Sequence, residues 1–84
     1  MHHSLVPLVY DTAELGGHVR RARQAKRLRQ DELAGRIGVT RMTISRLERG
    51  ESVSVDTALR ALSECGVALA LVPKFSRVTV LDGA

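Results

Sequence analysis

The stretch QDELAGRIGVTRMTISRLERG, residues 30–50, constrains the fold more than any other part of the chain. Counting Gln30 as position 1, Leu33, Ala34, Ile37, Gly38, Val39, Ile44 and Leu47 fall at positions 4, 5, 8, 9, 10, 15 and 18. Two short helices packed steeply across a three- or four-residue turn need these residue types at these places. A small residue sits where the backbones approach closest, a glycine takes the positive φ of the turn, and aliphatic residues fill the wedge. One match means nothing; seven together are specific. Val39, Ile44 and Leu47 form an apolar row that wants a core. Arg41, Met42, Thr43, Ser45, Arg46 and Arg49 are then left facing outward as one basic and polar surface.

The distribution of charge gives that surface a purpose. Between His18 and Arg49 there are ten of the thirteen basic residues and three acidic ones (Asp31, Glu32, Glu48), a local net charge of +7. The rest of the chain carries three basic and six acidic residues, net −3. Segregation of this kind is the footprint of a polyanion-binding face, against the alternative of scattered, solvated arginines. Tyr10 and Phe75 are the sole aromatics, so stacking on single-stranded bases is disfavoured and duplex DNA leads RNA.

At 84 residues the chain is one small domain whose core needs help. Cys65 is the lone cysteine, so an intrachain disulfide is ruled out and a reducing compartment fits. No apolar run reaches the roughly 18 residues of a membrane span, and the N-terminus lacks a signal-peptide layout. A soluble cytoplasmic protein with no membrane association is expected. His2 and His3 carry no functional weight.

Four helices are predicted. Asp11 or Thr12 caps the first, which runs to about Lys26 with Leu15, Val19 and Ala22 on one face and a first turn weakened by Gly16 and Gly17. The second spans about Gln30 to Ile37 and stops at Gly38. Thr40 caps the third, which ends near Arg49 and Gly50. Ser54 caps the fourth, about Val55 to Cys65, with Val55, Leu59 and Leu62 inward and Gly66 as its stop. Residues 5–10, LVPLVY, form at most an edge strand or extended arm because of Pro7. Residues 67–73, VALALVP, are apolar on both alternating faces, as in a strand covered on both sides. Residues 76–83 make a second β-like run. The organisation expected is therefore an N-terminal arm (1–11), a DNA-binding helical domain (12–66) and a β-strand dimerisation tail (67–84).

From about Leu15 to Leu62, through QDELAGRIGVTRMTISRLERG and the trailing SVDTALRAL, the chain resembles the Cro and phage-repressor type of helix-turn-helix domain, the XRE family. The resemblance implies a mainly α fold, a four- to five-helix lambda-repressor-like DNA-binding domain, that binds operator DNA as a homodimer on an inverted repeat. The third helix would lie in the major groove. It implies that Gln30 braces against a phosphate, that Thr40 contacts the backbone as it caps the third helix, and that Arg41, Met42 and Arg46 reach base edges. Thr43 would reach a base or a phosphate. Arginine pairs bidentately with guanine O6 and N7, which makes Arg41 and Arg46 the leading readers of sequence. Met42 would touch a thymine methyl or fill a gap beside the second helix.

Arg20, Arg21, Arg27, Arg36 and Arg49 are expected as phosphate contacts or solvated charges. Arg23 and Glu48 match a family salt bridge between the first helix and the end of the third, a structural feature. Two residues depart from the pattern. Arg29 stands where a Thr or Asn cap is usual, so the second helix starts without a side-chain acceptor and the arginine gains a phosphate contact instead. Glu51 stands near the phosphates and should slightly reduce affinity.

Catalysis finds no support. His18 and Cys65 have no companions for a zinc site, Ser45 lacks His and Asp partners, and Gly16-Gly17 is no phosphate loop. A non-enzyme without cofactor is expected. The tail adds one further resemblance, resting on element order. A helical domain of this type followed at once by a β-strand resembles the HipB-like antitoxins. There the strands of two protomers pair into a small sheet, which places Val67, Leu69, Leu71 and Val72 in a dimer interface, or alternatively the strand folds back on its own helices. The implied partner is a HipA-like kinase toxin in a type II toxin–antitoxin system, with repression of the protein's own operon. A stand-alone phage-type repressor and a protein-interaction module that retains the fold are the alternatives.

Overall fold

Asp11, Thr40 and Ser54 each accept a hydrogen bond from the backbone amide three residues on, at 2.7, 3.2 and 3.0 Å. These caps start three of the four helices, each satisfying an amide that would otherwise lack a partner. The computed structural model describes residues 2–82. It contains β1 (His2–Leu5), α1 (Thr12–Ala25), α2 (Gln30–Ile37), α3 (Arg41–Glu48), α4 (Val55–Glu64) and β2 (Thr79–Asp82). The start of α2 is the exception to the capping rule, because the Arg29 side chain has no acceptor to offer. The acceptor comes from inside the helix instead: Glu32 Oε1 accepts from the Arg29 amide at 2.9 Å, half of a capping box. Between α2 and α3, Gly38 takes the left-handed conformation (φ 72°) that the turn requires.

Val19 of α1, Leu33 of α2 and Ile44 of α3 are fully buried at the centre of the core, joined by Ala34, Ile37, Leu47, Ala61, Leu62 and Cys65. Leu15, Ala22, Val39 and Val53 pack on its margin. Burying each of the larger aliphatic side chains contributes about 1.5–3 kcal/mol. The buried face of α4 is not the expected one. Thr57, Ala58, Ala61 and Leu62 point inward, while Val55 is 74% and Leu59 43% exposed. Small residues carry little hydropathy, so the larger Val55 and Leu59 set the wrong phase. Ala58 and Ala61 are instead part of the buried core. Arg60 Nη2 donates to the carbonyl of Ile37, tying α4 to the end of α2.

The tail follows expectation within residues 76–83, where β2 forms, and departs from it before that run. The chain leaves α4 through Gly66, and among the described residues 67–73 form no strand. Extended chain becomes a strand only beside another backbone, and the single chain offers its pairing edge elsewhere. β2 pairs antiparallel with β1, Leu5 opposite Thr79 and His2 opposite Asp82, and the Val6 amide extends the ladder to Val78 O at 2.7 Å. The N-terminal β-structure thus ends before Pro7, earlier than the 5–10 stretch suggests. Tyr10 and Phe75 fasten arm to tail. The Phe75 amide donates to the Tyr10 hydroxyl at 3.0 Å, and the rings lie 5.5 Å apart. No helix among the described residues is long and apolar enough to cross a membrane.

Candidate nucleic-acid interface

The geometry of α3 is set from behind. Ile44 and Leu47 anchor it in the core. Across its last turn lies Gly16 of α1, where an added Cβ would fall 2.5 Å from Leu47 O and 2.6 Å from Glu48 O. The glycine that reads as a weak helix start is the point at which two backbones touch. Above it Arg23 of α1 meets Glu48 of α3 in a two-pronged ion pair, Nε to Oε2 at 2.6 Å and Nη2 to Oε1 at 2.9 Å. Arg23 Nη1 also donates to Leu28 O at 2.8 Å, which fixes the connection between α1 and α2. The hydrogen bond with Glu48 holds the Arg23 guanidinium above its ordinary range, so it stays charged although buried. The Arg23–Glu48 pair thus joins α1 to the end of α3.

Gln30 sits beside this pair, and its Nε2 donates to Glu48 Oε1 at 3.1 Å. The amide foreseen as a phosphate brace is, in the free protein, a third donor to the buried carboxylate. Arg41, Ser45 and Arg49 lie at i, i+4 and i+8 along α3 and its C-cap. Together with Gln30, Arg20, Arg29 and Asp31 they line a cleft of about 670 Å³ over Arg23 and Glu48. Arg29 Nε donates to Asp31 Oδ1 at 3.1 Å, and this bond holds the Asp31 carboxyl below its usual range. Arg20, Arg29, Arg41 and Arg49, all exposed, thus converge on one concave face.

The other stripe of α3 carries Met42 and Arg46. Met42 is 62% exposed, so it does not fill a gap against α2. Arg46 and Arg49 share the carboxylate of Glu51, with Nε to oxygen distances of 3.8 and 2.6 Å. Thr40 and Thr43 are joined through their hydroxyls at 3.0 Å at the start of the helix.

Not every foreseen residue belongs to this face. Arg27 lies in the α1–α2 connection, exposed and with φ 56°, and does not line the cleft. Arg36 pairs with Glu64 of α4 at 3.3 Å, and Arg21 donates to His18 Nδ1 at 3.2 Å. Val67, Leu69, Leu71 and Val72 stand apart from α3. They line a second, largely apolar groove of about 690 Å³ together with Val6 to Tyr10 of the arm and Leu15, His18 and Ala22 of α1. Leu71 is 99% exposed. Roles that sequence reasoning passed over are Glu32 as a cap and Glu51 as a shared partner of two arginines, while Arg20, expected as a phosphate contact or solvated charge, forms a wall of the cleft. The Glu32 signal is legible three residues after Arg29, where a capping box puts its acidic member.

In overall fold the chain is similar to HipB. HipB in a HipA-HipB-O2-O3 complex superposes with a TM-score of 0.75 at 24% identity, over 82% of this chain and 99% of that one. A HipB-O4 20mer complex gives the same values. HipB in an O1-O2 complex gives a TM-score of 0.73 at 25% identity, over 81% of this chain and 100% of that one. No curated protein sequence matches the chain. Residues 19–72, which span the buried ion pair, the turn and the whole of α3, match the helix-turn-helix family, and the chain belongs to that family.

Proposed function

We propose that this protein is a sequence-specific duplex-DNA-binding repressor that acts as a cytoplasmic homodimer on an inverted repeat, with α3 in the major groove. The observation that carries this is the surface of α3. Met42 and Arg46 on one stripe, and Arg41 and Arg49 on the other, stand exposed on a helix fixed rigidly by Gly16 and the Arg23–Glu48 pair. Such a helix can present arginine forks to guanine edges, while Thr40, Thr43, Gln30, Arg20, Arg29 and, on the adjoining connection, Arg27 meet the sugar–phosphate backbone. Gln30 would turn its amide from Glu48 to a phosphate on binding.

The finer role is that of an antitoxin, the DNA-binding half of a toxin–antitoxin pair that represses its own operon and neutralises a HipA-like kinase. Similarity to HipB chains seen with HipA supports it. Residues 12–66 would form the DNA-binding unit, residues 1–11 the arm, and residues 67–84 the dimerisation tail. In the dimer, residues 67–72, which have no strand partner among the described residues, would pair with the same segment of a second copy. The exposed apolar tail also favours a second reading, a module that acts by binding a protein.

Selection of binding sites from a pool of random duplexes separates the two readings. A repressor enriches an inverted repeat with half-sites about 34 Å apart. A protein-interaction module enriches nothing.

A further inference from the structure

Glu51 is the first acidic residue beyond α3, and its position is fixed by the way that helix stops. The Gly50 amide donates to Leu47 O at 3.0 Å and the Glu51 amide to Arg46 O at 2.9 Å, with Gly50 in the left-handed conformation (φ 80°). This is the paired closure of a Schellman motif, which ties the backbone of Glu51 to the residue whose side chain it touches. Its carboxylate then divides between two arginines. Oε1 lies 3.8 Å from Arg46 Nε and Oε2 lies 2.6 Å from Arg49 Nε. Each guanidinium has a second tether: Arg46 Nη2 donates to Ser52 O at 3.3 Å and Arg49 Nη1 donates to Ser45 Oγ at 2.6 Å.

Two consequences follow from charge and geometry. The trio carries a net charge of +1 where two free arginines would carry +2, so the end of α3 attracts phosphates of any sequence less strongly. Arg46 also faces the Glu51 carboxylate at ion-pair distance, without a hydrogen bond, and donates to Ser52 O, which biases the directions in which its fork can point. A guanidinium fixed in orientation discriminates between base edges; a free one swings to the nearest phosphate, which is the same in every sequence.

We propose that Glu51 is a specificity-determining residue: it positions Arg46 for base readout and suppresses sequence-independent binding by Arg46 and Arg49. The proposal deepens the operator-binding reading and rests on it. Glu51 touches no base itself; it acts through Arg46, as a positioning residue.

The test uses the full chain, the duplex that it selects from a random pool, and a shuffled duplex of the same composition. Dissociation constants are measured against salt for the wild type, Glu51→Gln, Arg46→Ala and the double variant. Glu51→Gln should bind the shuffled duplex more tightly, with a salt slope steeper by about 0.9 for each further phosphate that the freed arginines neutralise. The ratio of selected to shuffled affinity should fall about fivefold or more, the lower end of what one bidentate pair discriminates. In the Arg46→Ala background the same change should leave the ratio where it was. Far-UV circular dichroism and thermal melting check the fold, which the backbone closure at Gly50 and Glu51 preserves. Equal tightening on both duplexes would make Glu51 a simple charge brake and overturn the proposal, as would an unchanged ratio. A wild type that prefers no duplex over another would instead remove the operator reading, and this inference with it.

Discussion

Arg23 and Glu48 are the most exacting pair in the molecule, because their side chains are only 10% and 4% exposed. A buried ion pair adds little over an apolar pair of the same size, but removing one partner strands the other charge and costs about 3–5 kcal/mol. Glu48→Ala should therefore lower the unfolding free energy by about 3–5 kcal/mol, most of the stability a domain this small has. The double variant Arg23→Met with Glu48→Leu should lose far less. Urea denaturation measures both, and a single variant as mild as the double one contradicts the account. Cys65 gives a prediction with a definite sign in pH. It is buried, and burial pushes its thiol above the ordinary value of 9.0. The unfolded chain ionises this thiol first while the folded chain keeps its proton. Stability is thus intact below about pH 9 and falls as the pH rises beyond it. Cys65→Ala should flatten that alkaline decline in a series of melting curves; a decline of the same steepness would assign it to another group.

At the scale of the element, α3 divides the work between readers and anchors. Arg41→Ala and Arg46→Ala should each cost about 1–3 kcal/mol on the preferred duplex and relax base choice at one position. Arg27→Ala should weaken binding to all sequences alike and make the salt slope shallower by about 0.9, the share of one phosphate. Gln30→Ala should also weaken all sequences, and should destabilise the fold by about 0.5–1.5 kcal/mol, because Glu48 loses a donor. Base preferences that survive Arg41→Ala and Arg46→Ala unchanged in a selection experiment would mean that another face of α3 meets the DNA.

Much of this element is legible in the sequence, since caps, glycine stops and aliphatic wedge positions each have one physical cause that acts locally. The start of α1, the end of α2 and the start of α3 follow from Asp11, Gly38 and Thr40 in this way. The α4 face escapes such reasoning because the helix is clearly amphipathic but its largest apolar residues, Val55 and Leu59, lie at the edge of the buried face, while Ala58 and Ala61 hold its centre. Gly16 escapes it because its role depends on carbonyls of α3, far along the chain, which no local pattern records. The pairing of Arg46 and Arg49 on Glu51 is a property of the folded helix end, not of the stretch itself.

The whole molecule has two distinct faces. The concave basic one gathers α1, the start of α2 and α3 around the Arg23–Glu48 pair. The apolar one is made by arm and tail, and exposes Val67, Leu69, Leu71 and Phe75. The strand expected at 67–73 is absent from the single chain because a strand is a relation between two backbones, and residues 2–5 and 79–82 have taken each other. On the proposed reading the second copy supplies what is missing. Leu69→Lys, or truncation after Gly66, should give a monomer by sedimentation that keeps its helical signal but binds its operator much more weakly. A truncated chain that stays a tight dimer would place the interface on the helices. Whether two copies of α3 read two half-sites is decided by footprinting the protein on the DNA of its own promoter. Two protected half-sites on one face of the duplex, about 34 Å apart, are expected, with cleavage restored when Arg41 and Arg46 are both replaced by alanine. Protection of a single half-site, or none in moderate salt, would contradict that expectation.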